Sequence, residues 1–157
     1  MIKLVRVDER LVHGQVALAW TNSLGADSIL IVNDSVKKDS LRQKTLKLAA
    51  PAGIKFVVKT VEEAKELLNG TKTDKYKLFV IVDNTEDALA LVKHVPSVRK
   101  INLGNMKMKE DSRAITKSIC VTGEDEANIR EMGALGAEVL CQAIPTEKPE
   151  DALQLIG

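Results

Sequence analysis

Aromatic side chains are nearly missing from this 157-residue chain, which holds one Trp, one Tyr and two Phe. The base-stacking platforms that single-stranded RNA binders need are therefore absent. An excess of charge is also lacking. Lys and Arg number 23 against 22 Asp and Glu, for a formal net charge of +1, so no global field favours nucleic acid. Only two cysteines occur, Cys120 and Cys141, both in apolar, strand-like surroundings without a CxxC or a ligand cluster. That usage predicts buried thiols in a reducing cytoplasm rather than a disulfide framework. No apolar run approaches the roughly 20 residues that span a bilayer, and no signal-peptide pattern precedes the first strand. The expectation is a soluble cytoplasmic unit, residues 1–157 as one domain, long enough for a sizeable core and uninterrupted by a linker, low-complexity segment or solenoid repeat.

What the chain does have is a repeated order of helix, glycine and strand. Ile2 to Val7 alternates and is β-branched, the pattern of a short strand, and apolar residues then recur at helical spacing from Val12 to Trp20 before Gly25. Ser28 to Val32 reads as a buried strand, Lys38 to Ala49 as a basic helix closed by Pro51 and Gly53, and Ile54 to Val58 as another strand. Thr60-Val-Glu-Glu63 is a capping-box pattern opening a helix that stops at Asn69 and Gly70. Lys77 to Val82 is the most hydrophobic strand and is expected near the centre. Asp83 is expected to cap the helix through His94, followed by a strand from Lys100 to Leu103. The polar stretch Asn105 to Ala114 is expected to hold a local hairpin or an antiparallel strand. Beyond it come a strand at Lys117 to Thr122 nearer an edge, a helix from Glu124 to Leu135, a strand from Glu138 to Ala143, and a last helix opened by Pro149. The alternation predicts an α/β fold: a three-layer α/β/α single domain with a mostly parallel central sheet and helices on both faces. These patterns leave strand order and oligomeric state open.

The stretch around which the chemistry gathers is Arg6-Val-Asp-Glu-Arg10-Leu-Val-His13-Gly14-Gln15-Val16, at a strand-to-helix turn, where α/β proteins place ligands. If the helix begins near Leu11 or Val12, His13 lies in its first turn, among free backbone N–H groups and the positive end of the helix dipole. That setting disfavours imidazolium, leaves a neutral nucleophile and welcomes an anion. Arg6 and Arg10 add planar guanidinium forks suited to phosphate oxygens, and Asp8 or Glu9 can hold the far ring nitrogen. The residues alone permit two readings: a histidine that accepts and releases a phosphoryl group, or a helix N-terminus with solvated charges. Which ring nitrogen reacts is not set by the sequence.

These eleven consecutive residues resemble the active-site signature of the IIB components of the mannose/fructose/sorbose family of the bacterial phosphoenolpyruvate-dependent sugar phosphotransferase system. Length and element order are similar too. The resemblance implies a protein-N(pi)-phosphohistidine–sugar phosphotransferase whose phosphorylated residue is His13 and whose Arg10 steadies the phosphoryl group. It places Arg6, Asp8, Gly14 and Gln15 at supporting positions. The implied partners are a phosphorylated IIA protein or domain, the IIC and IID permease subunits in the membrane, and a sugar. No cofactor and no metal are implied, since arginines can neutralise the transferred charge.

Other candidates carry two readings each. Asp34, after the second strand, is either part of a turn and N-cap or a carboxylate that orients His13. Asn105 stands where relatives often carry a second glycine, and Asn tolerates positive φ. Lys37, Lys38, Arg42, Lys44 and Lys47 form a solvated face or a docking surface for an acidic partner or the permease. Trp20 is read as core packing. Two rival functions remain: a regulatory module binding a small phosphorylated ligand, and a histidine phosphatase. The phosphatase pattern wants Arg-His-Gly contiguous, whereas Leu11 and Val12 separate Arg10 from His13.

Overall fold

The computed structural model describes residues 1–157. Its strands are β1 (Ile2–Asp8), β2 (Ser28–Val32), β3 (Lys55–Lys59), β4 (Leu78–Val82), β5 (Lys100–Asn105), β6 (Arg113–Ala114), β7 (Cys120–Val121), β8 (Glu138–Cys141) and β9 (Glu150–Asp151). Its helices are α1 (Gly14–Leu24), α2 (Asp34–Lys37), α3 (Ser40–Ala49), α4 (Val61–Asn69), α5 (Thr85–His94), α6 (Gly123–Ala134) and α7 (Ala152–Ile156). Seven strands form one sheet in the order β3-β2-β4-β1-β5-β8-β9, parallel throughout except where β9 pairs with β8. The α/β class with a mostly parallel sheet is therefore as expected. No helix is long and apolar enough to cross a membrane.

Alternation along the strands sends successive side chains to opposite faces and so builds two cores. On one face Ile29, Ile31, Phe79 and Ile81 pack under Ala17 and Trp20 of α1 and Leu46 of α3. On the other, Val5, Val7, Leu30, Val80, Val82, Ile101 and Leu103 pack under α4 to α7 through Ala64, Leu91, Ile129 and Ile156. The hydrophobic β4 is interior, as expected, but the middle strand is β1. Its even-numbered residues, Leu4, Arg6 and Asp8, face α1.

Four local expectations are corrected. The basic helix expected from Lys38 to Ala49 is α3, starting at Ser40, but Lys37 belongs to a separate short helix, α2, that precedes it. Asn33 Oδ1 accepts the Val36 amide at 3.0 Å and caps α2, and Asp39 Oδ1 accepts the Arg42 amide at 3.0 Å and caps α3, so the chain restarts between them. The cap of α5 is Asn84, which accepts the Asp87 amide at 2.7 Å, while Asp83 only accepts from the Asn84 side chain. The strand expected over 117–122 shrinks to β7. It pairs antiparallel with β6 outside the main sheet, so the stretch 105–114 supplies an antiparallel strand at its end and the hairpin runs on to Val121. Pro149 does not open the last helix. Residues 150–151 first pair with β8, and Asp151 caps α7 by accepting the Leu153 amide at 2.9 Å.

Cys141 is 3% exposed, and burial, with Glu150 and Asp151 adding to it, pushes its thiol from 9.0 up to about 12. The unfolded chain releases this proton first, so the fold should lose stability as pH climbs from 9.0 toward about 12. At about pH 8, where a free cysteine is partly thiolate, Cys141 should resist iodoacetamide in the native protein and react once urea unfolds it. Peptide mass spectrometry and urea midpoints across alkaline pH check both statements.

Candidate active site at the end of the central strand

Arg6 and Asp8 are 2% and 1% exposed, an ion pair inside the protein. Arg6 Nη2 and Nε donate to Asp8 Oδ2 at 3.0 and 3.3 Å. Arg6 Nη1 donates to Asn102 Oδ1 at 2.8 Å and to the Gln142 carbonyl at 3.3 Å. Above the guanidinium lies the Trp20 ring, 5.3 Å from Cζ to its centroid, pinned by a 3.0 Å hydrogen bond from its Nε1 to the Ala143 carbonyl. Burial pulls the guanidinium pKa below its ordinary value, and the Asp8 carboxylate opposes that pull.

Asp8 gathers further donors. Its Oδ1 accepts the Arg10 amide at 2.9 Å and Asn105 Nδ2 at 3.4 Å. Its Oδ2 meets His13 Nε2 at 3.0 Å. A carboxylate held by a guanidinium and a backbone amide is an acceptor, so Nε2 carries the ring hydrogen and Nδ1 presents its lone pair.

The turn that delivers His13 is tight. The Leu11 amide donates to the Asp8 carbonyl at 2.9 Å, and Leu11 takes φ 58°, a left-handed conformation rare for a branched side chain. Leu11 and Val12 are buried, which holds the strained residue in place. The helix consequently starts at Gly14, later than apolar spacing predicts, and His13 is its N-cap rather than a member of its first turn. The His13 carbonyl accepts from Val16 and Ala17, at 3.2 and 3.4 Å. The amides of Val12, His13, Gly14 and Gln15 donate to nothing within the chain. The His13 side chain is 21% exposed, and Arg10, Gly14 and Gln15 are exposed around it.

Arg6, Asp8, Arg10, His13, Gly14 and Gln15 thus meet at one place, with two corrections to the expected roles. Arg6 does not offer its fork to phosphate oxygens: the guanidinium is buried and engaged by Asp8, Asn102 and Gln142. Asp34 is not beside the ring. Its Oδ1 accepts the Val61 amide at 2.9 Å, tying α2 to the start of α4. Asn105 reaches Asp8 with an ordinary negative φ, so no left-handed turn is needed there.

Sequence reasoning passed over Asn102 and Gln142, gave Gly104 no contact with Arg6, and offered Glu9 as a partner for the ring that it does not meet. The signals were an asparagine and a glycine inside an otherwise apolar strand. Glu9 Oε2 accepts the Lys107 amide at 2.5 Å and Lys109 Nζ at 3.1 Å, fastening the loop after β5 to the His13 turn. No group of three or more His, Cys, Asp or Glu side chains is arranged to hold a metal ion.

The fold and site define an α/β protein with a partly exposed histidine at a helix N-cap, backed by a buried carboxylate–guanidinium pair. Residues 2–157 match the family model of the PTS system sorbose subfamily IIB component, and the chain belongs to that family, a phosphotransferase component of the sugar phosphotransferase system. The sorbose-specific EIIB component of Lacticaseibacillus casei is 35% identical over 99% of this chain and 95% of that protein. The crystal structure of the IIBSor domain of the sorbose permease from Klebsiella pneumoniae superposes with a TM-score of 0.94 at 29% identity, covering 99% of this chain and 96% of that one. The mannose-specific EIIAB component of Escherichia coli K12 is 27% identical over all of this chain, which spans 49% of that protein.

Replacing Glu9 with Ala should free the 107–109 loop while leaving the fold intact. The Lys107 amide should then exchange at least about tenfold faster, the loss of one charge-assisted hydrogen bond of roughly 1.5–3 kcal/mol. Amide exchange followed by NMR checks it.

Proposed function

We propose that this chain is a phosphocarrier that takes a phosphoryl group from the phosphohistidine of a IIA protein onto His13 and passes it to a sugar during import. The observation that carries the reading is the 3.0 Å contact between His13 Nε2 and the buried Asp8 carboxylate, which leaves Nδ1 without a partner on a turn whose four amides donate to nothing and whose Arg10 is exposed. In the first transfer, the Nδ1 lone pair attacks phosphorus, a P–N bond forms at His13 and the P–N bond to the donor histidine breaks. Asp8 keeps the ring oriented and stabilises its developing positive charge, as the carboxylate does in other catalytic histidine pairs. Arg10 and the amides at the start of α1 hold the three equatorial oxygens, since positioning and electrostatics supply most of this catalysis.

In the second transfer a sugar hydroxyl attacks the same phosphorus and gives up its proton to solvent water, while the His13 P–N bond breaks and its electron pair returns to Nδ1 of the neutral ring. The IIC and IID permease subunits deliver that sugar, so the protein works in the cytoplasm and at the inner face of the membrane. Support for the IIA partner comes from the mannose-specific EIIAB relative, whose name joins the two components. Gly14 and Gln15 contribute through their amides and Arg6 through Asp8, and residues 1–157 act as one IIB domain.

Intact mass after incubation with phosphoenolpyruvate, the general phosphocarriers and a IIA protein should show one added phosphoryl group, acid-labile and alkali-stable. It should be absent from His13→Gln and sit on Nδ1 by NMR of the phosphorylated protein. Arg10→Lys keeps the charge but loses the fork and should slow transfer about tenfold or more. Rapid hydrolysis of a generic phosphomonoester without any relay would favour a histidine phosphatase instead. Tight binding of a phosphorylated metabolite without labelling would favour a regulatory module.

A further inference from the structure

Arg6 reaches Asp8 through space that β5 leaves open. Arg6 and Asn102 are register partners on neighbouring parallel strands, and both side chains are buried on the α1 face. Two residues further along β5, a Cβ built on Gly104 would lie 2.0 Å from Arg6 Cζ and 2.2 Å from Nη1. Gly104 has no positive φ, so its backbone does not require glycine; the guanidinium does.

Asn102 then sets the angle of the fork. Its Oδ1 accepts Arg6 Nη1 at 2.8 Å while its Nδ2 donates to the Gln142 carbonyl at 3.0 Å, and that carbonyl also accepts Nη1 at 3.3 Å. The amide cannot flip without turning its own N–H₂ against the guanidinium. With Nη1 fixed this way, Nε and Nη2 are left for Asp8 Oδ2, and the remaining acceptor capacity of that oxygen faces His13 Nε2.

We propose that Asn102 and Gly104 are positioning residues for His13. Acting through Arg6 and Asp8, they hold the ring as its Nε2–H tautomer and keep Nδ1 toward solvent. The effect on transfer rests on the phosphocarrier reading above; the effect on the tautomer does not.

The test uses the full chain labelled with ¹⁵N at histidine, with long-range ¹H–¹⁵N spectra reporting the two His13 ring nitrogens. The wild-type protein should show a protonated Nε2 and a bare Nδ1. In Asn102→Ala and in Gly104→Ala the two signals should move toward each other as the tautomers mix. The turnover of phosphoryl transfer from phospho-IIA should fall about tenfold to a hundredfold with the KM for IIA unchanged. Thr21→Val serves as the control. Thr21 is buried on α1 and its hydroxyl donates only to the Ala17 carbonyl, so its loss should lower stability without moving either ring signal.

Unchanged ring signals in a folded Asn102→Ala protein overturn the proposal, and so does an equal movement in Thr21→Val, which would mark general loosening. Should Gly104→Ala fail to fold, Asn102→Ala decides alone. A wild-type protein that accepts no phosphoryl group, with a tautomer that still responds to Asn102→Ala, supports the positioning role and removes the phosphocarrier reading instead.

Discussion

A buried guanidinium–carboxylate pair on the central strand is the constraint to which the surrounding structure answers. Taking Arg6 and Asp8 out of water costs several kcal/mol per ion, and well-packed hydrocarbon of equal volume serves a core at least as well. Removing one partner alone is worse, because the other charge is then left uncompensated in a medium that cannot solvate it. The neighbours share that requirement. Asn102 and the Gln142 carbonyl accept what Asp8 does not, Trp20 closes over the guanidinium, and Gly104 withholds a Cβ from the space it fills. No buried side-chain polar atom in the chain lacks a hydrogen-bond partner, so the network is fully satisfied.

The pair also divides the arginines by task. Arg6, inside, fixes a carboxylate that fixes a ring. Arg10, outside, contributes its amide to Asp8 and leaves its side chain in solvent. Between them the chain turns through Leu11 in a left-handed conformation, and the strain is held by burying Leu11 and Val12. The consequence is a histidine whose one nitrogen is committed to the protein while the other faces an open helix N-terminus. Phosphoryl transfer asks little covalent chemistry of a protein and much prior orientation.

Glu9 shows how neighbouring residues on a turn separate in function. Asp8 points into the α1 face and orients the ring, while Glu9, one residue on, points away and ties down the loop after β5. Both carboxylates were candidates for the ring nitrogen, and only the strand alternation distinguishes them. Asp34 was a candidate too, but it follows β2, two strands away from β1, and accepts from the first amide of α4.

By itself the sequence determined the class of fold, the run of strands and helices, and the turn on which Arg6, Asp8, Arg10 and His13 come together. These are local properties: period-2 and period-3.6 apolar patterns, capping residues and one contiguous motif carry them without long-range information. Boundaries failed where two caps stood close together, as at Asn33 and Asp39, or where a short segment paired locally instead of joining the sheet, as at β7 and β9. Only the tertiary structure decided that the Arg6 guanidinium is buried and engaged within the chain, and that His13 meets Asp8 through Nε2. Both outcomes depend on Asn102, Gly104 and Gln142, which lie about a hundred residues or more from β1 in the chain and come beside it only through the crossover order of the sheet. Burial of a charge is a property of that assembly, and no window of neighbouring residues contains it.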